Sequence, residues 1–165
     1  MKRRLIKLTL LLVTGLAMVT VSSCNDDETT CVSQQLADFN LILQDIDEVA
    51  LLDEEDFDVD ALKVVYFEEE NEVEVEFELK EASNESLFIS STEINQLGLT
   101  APREFSLMLG EDLLGKFEVS VTESSASACR VYTYSAVDEA GENLETTTIG
   151  TTQAYILVVS LPETE

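Results

Sequence analysis

The sequence predicts an all-β domain, an antiparallel β-sandwich with a short N-terminal helix; an up-and-down β-barrel is the alternative way of closing the same strands. Three observations lead there. From residue 62 onward, apolar residues recur with a period of two, the spacing that puts alternate side chains on one face of a strand. The eight runs that show it are short and are separated by clusters of Gly, Asn, Asp, Ser and Thr, which favour turns. Few stretches between them could be crossover helices, so a parallel sheet is disfavoured.

The elements follow in order. In "LADFNLILQDIDEVALL", Leu36, Phe39, Leu43, Ile46 and Ala50 recur at spacings of three and four, which predicts one apolar helical face. Ser33 is a candidate N-cap. Asp45, Asp47 and Glu48 oppose the helix dipole near a C-terminus, so the helix is expected only to about Gln44. An acidic connector, "DEEDFDVD", comes next. "LKVVYFE" and "EVEVEFELK" then form a hairpin around "EEN"; in the second, Val73, Val75, Phe77 and Leu79 point one way and Glu72, Glu74, Glu76 and Glu78 the other. "SLFIS", "EFSLML", "KFEVSVT", "CRVYTYSAV", "NLETTTI" and "QAYILVVSL" complete the strands. Turns are expected at "EASNE", "LGLTAPR", "GEDLLG", "TESSASA", "DEAGEN" and "GTT". The expected arrangement is immunoglobulin-like or similar. Its parts are an acidic tether at 24–32, a helix and acidic connector at 33–61 packed on the domain, and the antiparallel β domain at 62–165.

Residues 1–23 are read as an address. Lys2, Arg3, Arg4 and Lys7 precede a run of 14 uncharged residues, 8–21, that ends among small side chains. A cationic start, an apolar run of that length and a small-residue end are the parts of an export signal. A helix needs about 20 residues to cross the ~30 Å of a bilayer core, so the run is short for a membrane span. The "VSSC" that closes it resembles the lipobox of bacterial lipoproteins: an aliphatic residue, two small ones, and the cysteine that takes the lipid. The resemblance implies that Cys24 carries the acyl chains and becomes the first residue of the mature protein. Several chains, at ~0.8 kcal/mol per buried methylene, hold a protein on a membrane almost permanently. Asn25, Asp26, Asp27 and Glu28 resemble the surface-export tag of Bacteroidota lipoproteins, in which acids follow the lipidated cysteine. The resemblance covers residues 1–28. It implies an outer-membrane protein facing the cell surface; a plain solvated acidic tether and a periplasm-facing protein are the alternatives.

The chain of 165 residues without its 23-residue signal leaves 142, one domain's worth. Losing the four signal cations leaves Lys63, Lys80, Arg103, Lys116 and Arg130 against 34 acids, a net charge of −29. Such a charge repels phosphate backbones and excludes unaided nucleic-acid binding. It also opposes docking on anionic headgroups. A basic protein partner or a surface complex is compatible with it. Beyond the lipid cysteine, Cys31 and Cys129 remain, either as a disulfide, the simplest state outside the cytoplasm, or as two buried thiols. A disulfide closing a loop of roughly 100 residues contributes about 4.7 kcal/mol in the chain-entropy model.

Motifs that imitate chemistry fail on inspection. "GEDLLGKF", residues 110–117, has the glycines and lysine of a Walker A loop, but Phe117 replaces the metal-binding Ser or Thr. Asp56, Asp58 and Asp60 imitate a calcium loop, yet Ala61 stands where glycine is needed and Phe67 where a bidentate glutamate is needed. The glutamates of 72–78 recur every ~6.8 Å along one strand face, either as a docking face for cations or as a solvated face that discourages edge pairing. Tyr132 and Tyr134 share a face and either stack on a sugar or pack inward with Ala136. "NES" at Asn84 matches a glycosylation acceptor that a bacterial signal makes coincidental. The chain has no histidine, so Ser-His-Asp and Cys-His catalysis and His-ligated zinc are excluded. A two-carboxylate glycan hydrolase is formally possible. The expectation is a non-catalytic binding or accessory module of unknown ligand, with no cofactor and no metal site; a calcium- or glycan-binding module is the alternative.

Overall fold

The computed structural model describes residues 33–124 and 129–161. The export segment, Cys24, the acidic tag at 25–28, Cys31 and most of the "TESSASA" turn lie outside the described residues. The remainder builds two five-stranded sheets packed face to face, a β-sandwich. Neither sheet closes into a barrel among the described residues.

One sheet is ordered β4-β5-β1-β10-β9, from β1 (Phe39–Gln44), β4 (Glu78–Glu81), β5 (Leu87–Ser91), β9 (Glu145–Ile149) and β10 (Thr152–Val158). The other is ordered β3-β2-β6-β7-β8, from β2 (Leu62–Glu68), β3 (Asn71–Val75), β6 (Arg103–Leu109), β7 (Asp112–Ser124) and β8 (Val131–Asp138). Every pairing is antiparallel except β1 with β10, which is parallel with Leu41 opposite Tyr155. The core lies between the sheets. Phe39, Leu41, Leu43, Ile89 and Leu157 from the first meet Val64, Val75, Phe105, Leu107 and Phe117 from the second.

The N-terminal helix expected over residues 33–44 does not form: residues 33–38 carry no regular structure and 39–44 are a strand. Phe39, Leu41 and Leu43 point into the core, while Ile42 points to the opposite face and packs with Phe88, Ile149 and Ala154. A strand covered on both faces reads as a continuous apolar run, and periodicity alone cannot separate it from a buried helix. Ile46, assigned to the helical face, is 85% exposed. What decides the state is pairing: β1 sits between β5 and β10, partners from distant parts of the chain. The connector that follows holds two 3-10 turns, Leu51–Asp53 and Val59–Ala61, the first burying Leu51 and Leu52.

The β2–β3 hairpin forms as expected, with Val64 opposite Val75 and Glu68 opposite Asn71. "EVEVEFELK", expected as one strand, breaks at Glu76 and Phe77, and its second half joins the other sheet as β4. The crossing is held by polar contacts: Glu76 N–H donates to Glu93 Oε2 at 2.9 Å, and Ser91 Oγ donates to the Glu76 carbonyl at 2.7 Å. The glutamates of 72–78 are therefore divided between two sheets and do not form one ladder.

The sole α-helix of the described residues, α1 (Thr92–Thr100), is not among the expected elements and begins before the expected "LGLTAPR" turn. Ser91 caps it, its Oγ accepting from the Ile94 N–H at 3.4 Å, and Glu93 complements the dipole in the first turn. Gly98 lets the helix approach β7 closely. A Cβ there would lie 3.1 Å from both Val119 Cγ1 and the Val119 carbonyl oxygen.

"GEDLLGKF" is the β6–β7 hairpin. Gly110 turns the chain with φ +63, a left-handed conformation that glycine adopts freely. Leu107 pairs with Gly115 and Met108 with Leu113, so Leu114 is the extra residue of a bulge, directed inward. Lys116 pairs with Glu104 at 3.2 Å.

Candidate functional site

The first strand enters its sheet through Ala37 and Asp38, and around that entry the fold gathers its most elaborate polar cluster. Asp38 precedes β1; Lys80 lies on β4, two strands across the sheet. The ammonium donates to Asp38 Oδ2 at 3.1 Å, and the Thr92 hydroxyl at the start of α1 donates to Asp38 Oδ1. Both carboxylate oxygens are thus engaged. The Thr92 hydrogen bond first, and Lys80 second, hold the Asp38 carboxyl below its ordinary value of 3.8, because each stabilises the charged form.

Two clefts share this ion pair as a common wall. One, of about 660 Å³, opens toward β8 and β10 and is bordered by Asn40, Asn143, Gln153, Tyr134 and Tyr155. The other, of about 1080 Å³, opens toward the sheet crossing, with Asp60, Glu74, Glu76, Glu78 and Glu93 on its walls. The first is close to neutral and the second strongly acidic.

The neutral cleft is built on fixed groups. Tyr134 Oη accepts from the Ala37 N–H at 2.9 Å, which ties β8 to the entry of β1 across the two sheets. Tyr155 stacks on Phe39 with centroids 5.2 Å apart. Burial, with Tyr134 nearby as the lesser cause, raises the Tyr155 phenol above its usual 10.0. Asn40 Nδ2 donates to the Gln153 carbonyl at 3.1 Å. Asn95, on α1 and only 2% exposed, donates to the Ala37 carbonyl at 2.8 Å, while its Oδ1 accepts no hydrogen bond from the described residues.

The sequence motifs fall in various places. Tyr132 and Tyr134 both lean inward against the core, centroids 6.5 Å apart, but only Tyr134 borders the cleft. Asp56, Asp58 and Asp60 occupy the exposed connector. No three His, Cys, Asp or Glu side chains converge to hold a metal ion among the described residues. Cys129 is 4% exposed and disulfide-bonded; its partner lies outside the described residues, where Cys24 and Cys31 are the remaining cysteines.

The chain matches no protein-family model, no curated protein and no solved structure.

The sequence reading passed over Asp38, Asn40, Asn95 and Gln153. None belongs to a motif, and they meet only because β1 is inserted between β5 and β10. Lys80 carried a faint signal, as one of five cations outside the export segment and directly after the glutamate run.

Proposed function

We propose that this chain is a lipoprotein of the bacterial outer membrane, anchored through Cys24 and facing the cell surface, whose sandwich serves as a non-catalytic binding or accessory module. The observation that carries the reading is the order of residues 1–28: cations, a 14-residue uncharged run, "VSSC", then acids. Its chemistry agrees with the cysteine count. A thioether at Cys24 consumes that sulfur, which leaves Cys31 as the partner of the disulfide-bonded Cys129. The absence of histidine removes the commonest general base, and the clefts beside Asp38 and Lys80 offer sites for holding a ligand without transforming it. The net charge of −29 after export favours a basic protein partner over nucleic acid or an anionic lipid surface.

Mass spectrometry of the N-terminal peptide from the native host tests the anchor. The expected result is cleavage before Cys24 and acyl mass on its sulfur, with Cys24→Ala shifting the protein out of the membrane fraction. A bare sulfur or an uncleaved leader refutes it. Protease treatment of intact cells separates a surface-facing from a periplasm-facing protein. Detergent pull-down of the tagged chain tests the accessory role, for which a stoichiometric partner is expected.

A further inference from the structure

We infer that the cleft beside Asp38 and Lys80 binds a neutral, polyhydroxylated ligand, a saccharide. The inference rests on the reading of the domain as a binding module and names the chemistry of its site.

Charge is the first argument. Acids make up 34 of 165 residues, yet the fifteen residues lining this cleft include one acid, Asp38, and one cation, Lys80. These two neutralise each other at 3.1 Å. A cationic ligand would find far more counter-charge in the adjoining cleft, among Glu74, Glu76, Glu78 and Glu93. An anionic ligand would have to approach a strongly negative protein to reach a lysine already paired. A neutral ligand meets neither barrier.

Hydrogen-bonding character is the second. Asn40, Asn143, Gln153, Thr146 and Thr152 all border the cleft, and each side chain can both donate and accept. That matches a sugar hydroxyl, which does the same. Asn40 has committed its amide N–H₂ to the Gln153 and Asp38 carbonyls, so its carbonyl oxygen is positioned to accept. Asn95 borders the same cleft, but its amide oxygen is sealed from the surface, so it fixes the cleft wall through its bond to the Ala37 carbonyl and does not meet the ligand.

Shape and rigidity come third. Tyr134 and Tyr155 supply aromatic surface for the C–H face of a sugar ring. Both are held in advance, Tyr134 by the Ala37 N–H and Tyr155 by its stack on Phe39, which lowers the ordering cost of binding. A volume of about 660 Å³ lies within the ~300–1,000 Å³ usual for small-ligand sites.

The test uses the full chain in a polyoxyethylene detergent, since maltoside or glucoside detergents themselves present sugar. Titration calorimetry is run against neutral oligosaccharides built from glucose, mannose, galactose or xylose, against uronate-bearing oligosaccharides, and against a neutral Gly/Ser/Asn peptide. Saturable binding of at least one neutral sugar is expected, with none to the uronates or the peptide. Asn143 and Gln153 are exposed, so the N143A/Q153A pair should leave the melting temperature unchanged and weaken the sugar about five-fold or more, from two hydrogen bonds at ~0.5–1.5 kcal/mol each. Should the pair melt early, N143A alone is compared. Thr133→Ala, on the outward face of β8, should bind like the parent. Silence toward every neutral sugar, preference for uronate or peptide, or an N143A/Q153A protein that is folded and binds undiminished would each overturn the inference. Acyl mass on Cys24 with no sugar bound removes only the ligand class, and a sugar bound by a protein with a bare Cys24 removes only the anchor.

Discussion

Phe117→Ala should be among the most damaging single changes in this domain. Phe117 is 1% exposed. Its ring lies parallel to Phe39 at 5.4 Å and stacks on Phe105 at 5.5 Å, and Phe39 continues the series to Tyr155 at 5.2 Å. Phe39 and Tyr155 belong to one sheet, Phe105 and Phe117 to the other, so the series crosses the core. Truncation removes the ring's burial and leaves a cavity, together about 3–5 kcal/mol for a core phenylalanine, a figure that includes two aromatic contacts of ~0.5–1.5 kcal/mol each. Against the ~5–15 kcal/mol typical of a whole domain, that is a large share. The assay is urea unfolding of the purified protein followed by circular dichroism. The midpoint should fall steeply at constant slope, because the surface exposed on unfolding is nearly unchanged. Phe117→Leu should recover more than half of the loss. Phe67→Ala, at a ring 56% exposed, should cost less than about 1 kcal/mol. A Phe117→Ala loss below ~1.5 kcal/mol, or one no larger than that of Phe67→Ala, would refute a core organised around this aromatic series.

Three further outcomes follow from the geometry. Asp38→Asn should lower stability modestly at neutral pH, by less than about 1 kcal/mol because the pair is partly exposed. Since the folded-state carboxyl titrates below its usual 3.8, the stabilising contribution is present above that value and is lost as pH falls through the lower folded value. Urea midpoints of parent and variant should therefore converge as the pH is taken down through and below 3.8, and a gap that widens in acid would contradict the assignment. Gly98→Ala gains about 1 kcal/mol of helix propensity but sets a methyl 3.1 Å from the Val119 carbonyl oxygen. Val119 is paired on both sides, with Arg103 and Ala136, so it cannot retreat, and overpacking of ~1–3 kcal/mol prevails. Thermal melts should show net destabilisation, and a stabilised variant would mean that helix and strand are less closely apposed. Glu69→Gly, at φ +58 in the β2–β3 turn, should stabilise by up to about 1 kcal/mol by removing left-handed strain; a clear loss in the same melts would reject that turn geometry.

Much of the fold could be read from residue order. The strands after residue 62 emerge because their alternation is local and strict, and turn residues such as Gly110 and Gly150 mark the chain reversals. The misassigned elements share a cause: tertiary partners outweighed local pattern. Phe39 and Leu43 fit a helix spacing and a strand face equally well, and only the flanking β5 and β10 choose between them. The alternation of "EVEVEFELK" continues through Glu76 and Phe77, yet Ser91 and Glu93 fasten the backbone there and send the chain to the other sheet. The short α1, with a glycine and a threonine in its last turn, carries little helical periodicity. The site was less legible than the fold. Asp38, Asn40 and Asn95 are unremarkable in sequence, and their meeting depends on pairings between segments far apart in the chain.

By itself, the order of residues determined the export-like beginning, the acidic charge, the absence of histidine and the all-β character. Each of these is a property of composition or of near neighbours. Only the tertiary structure decided that residues 39–44 pair as a strand, that residues 72–81 divide between two sheets, and that one balanced ion pair separates a neutral cleft from an acidic one. Hydrogen-bond pairing and burial join residues tens of positions apart, and an alternating sequence specifies which face of a strand is apolar without specifying which strand will lie beside it.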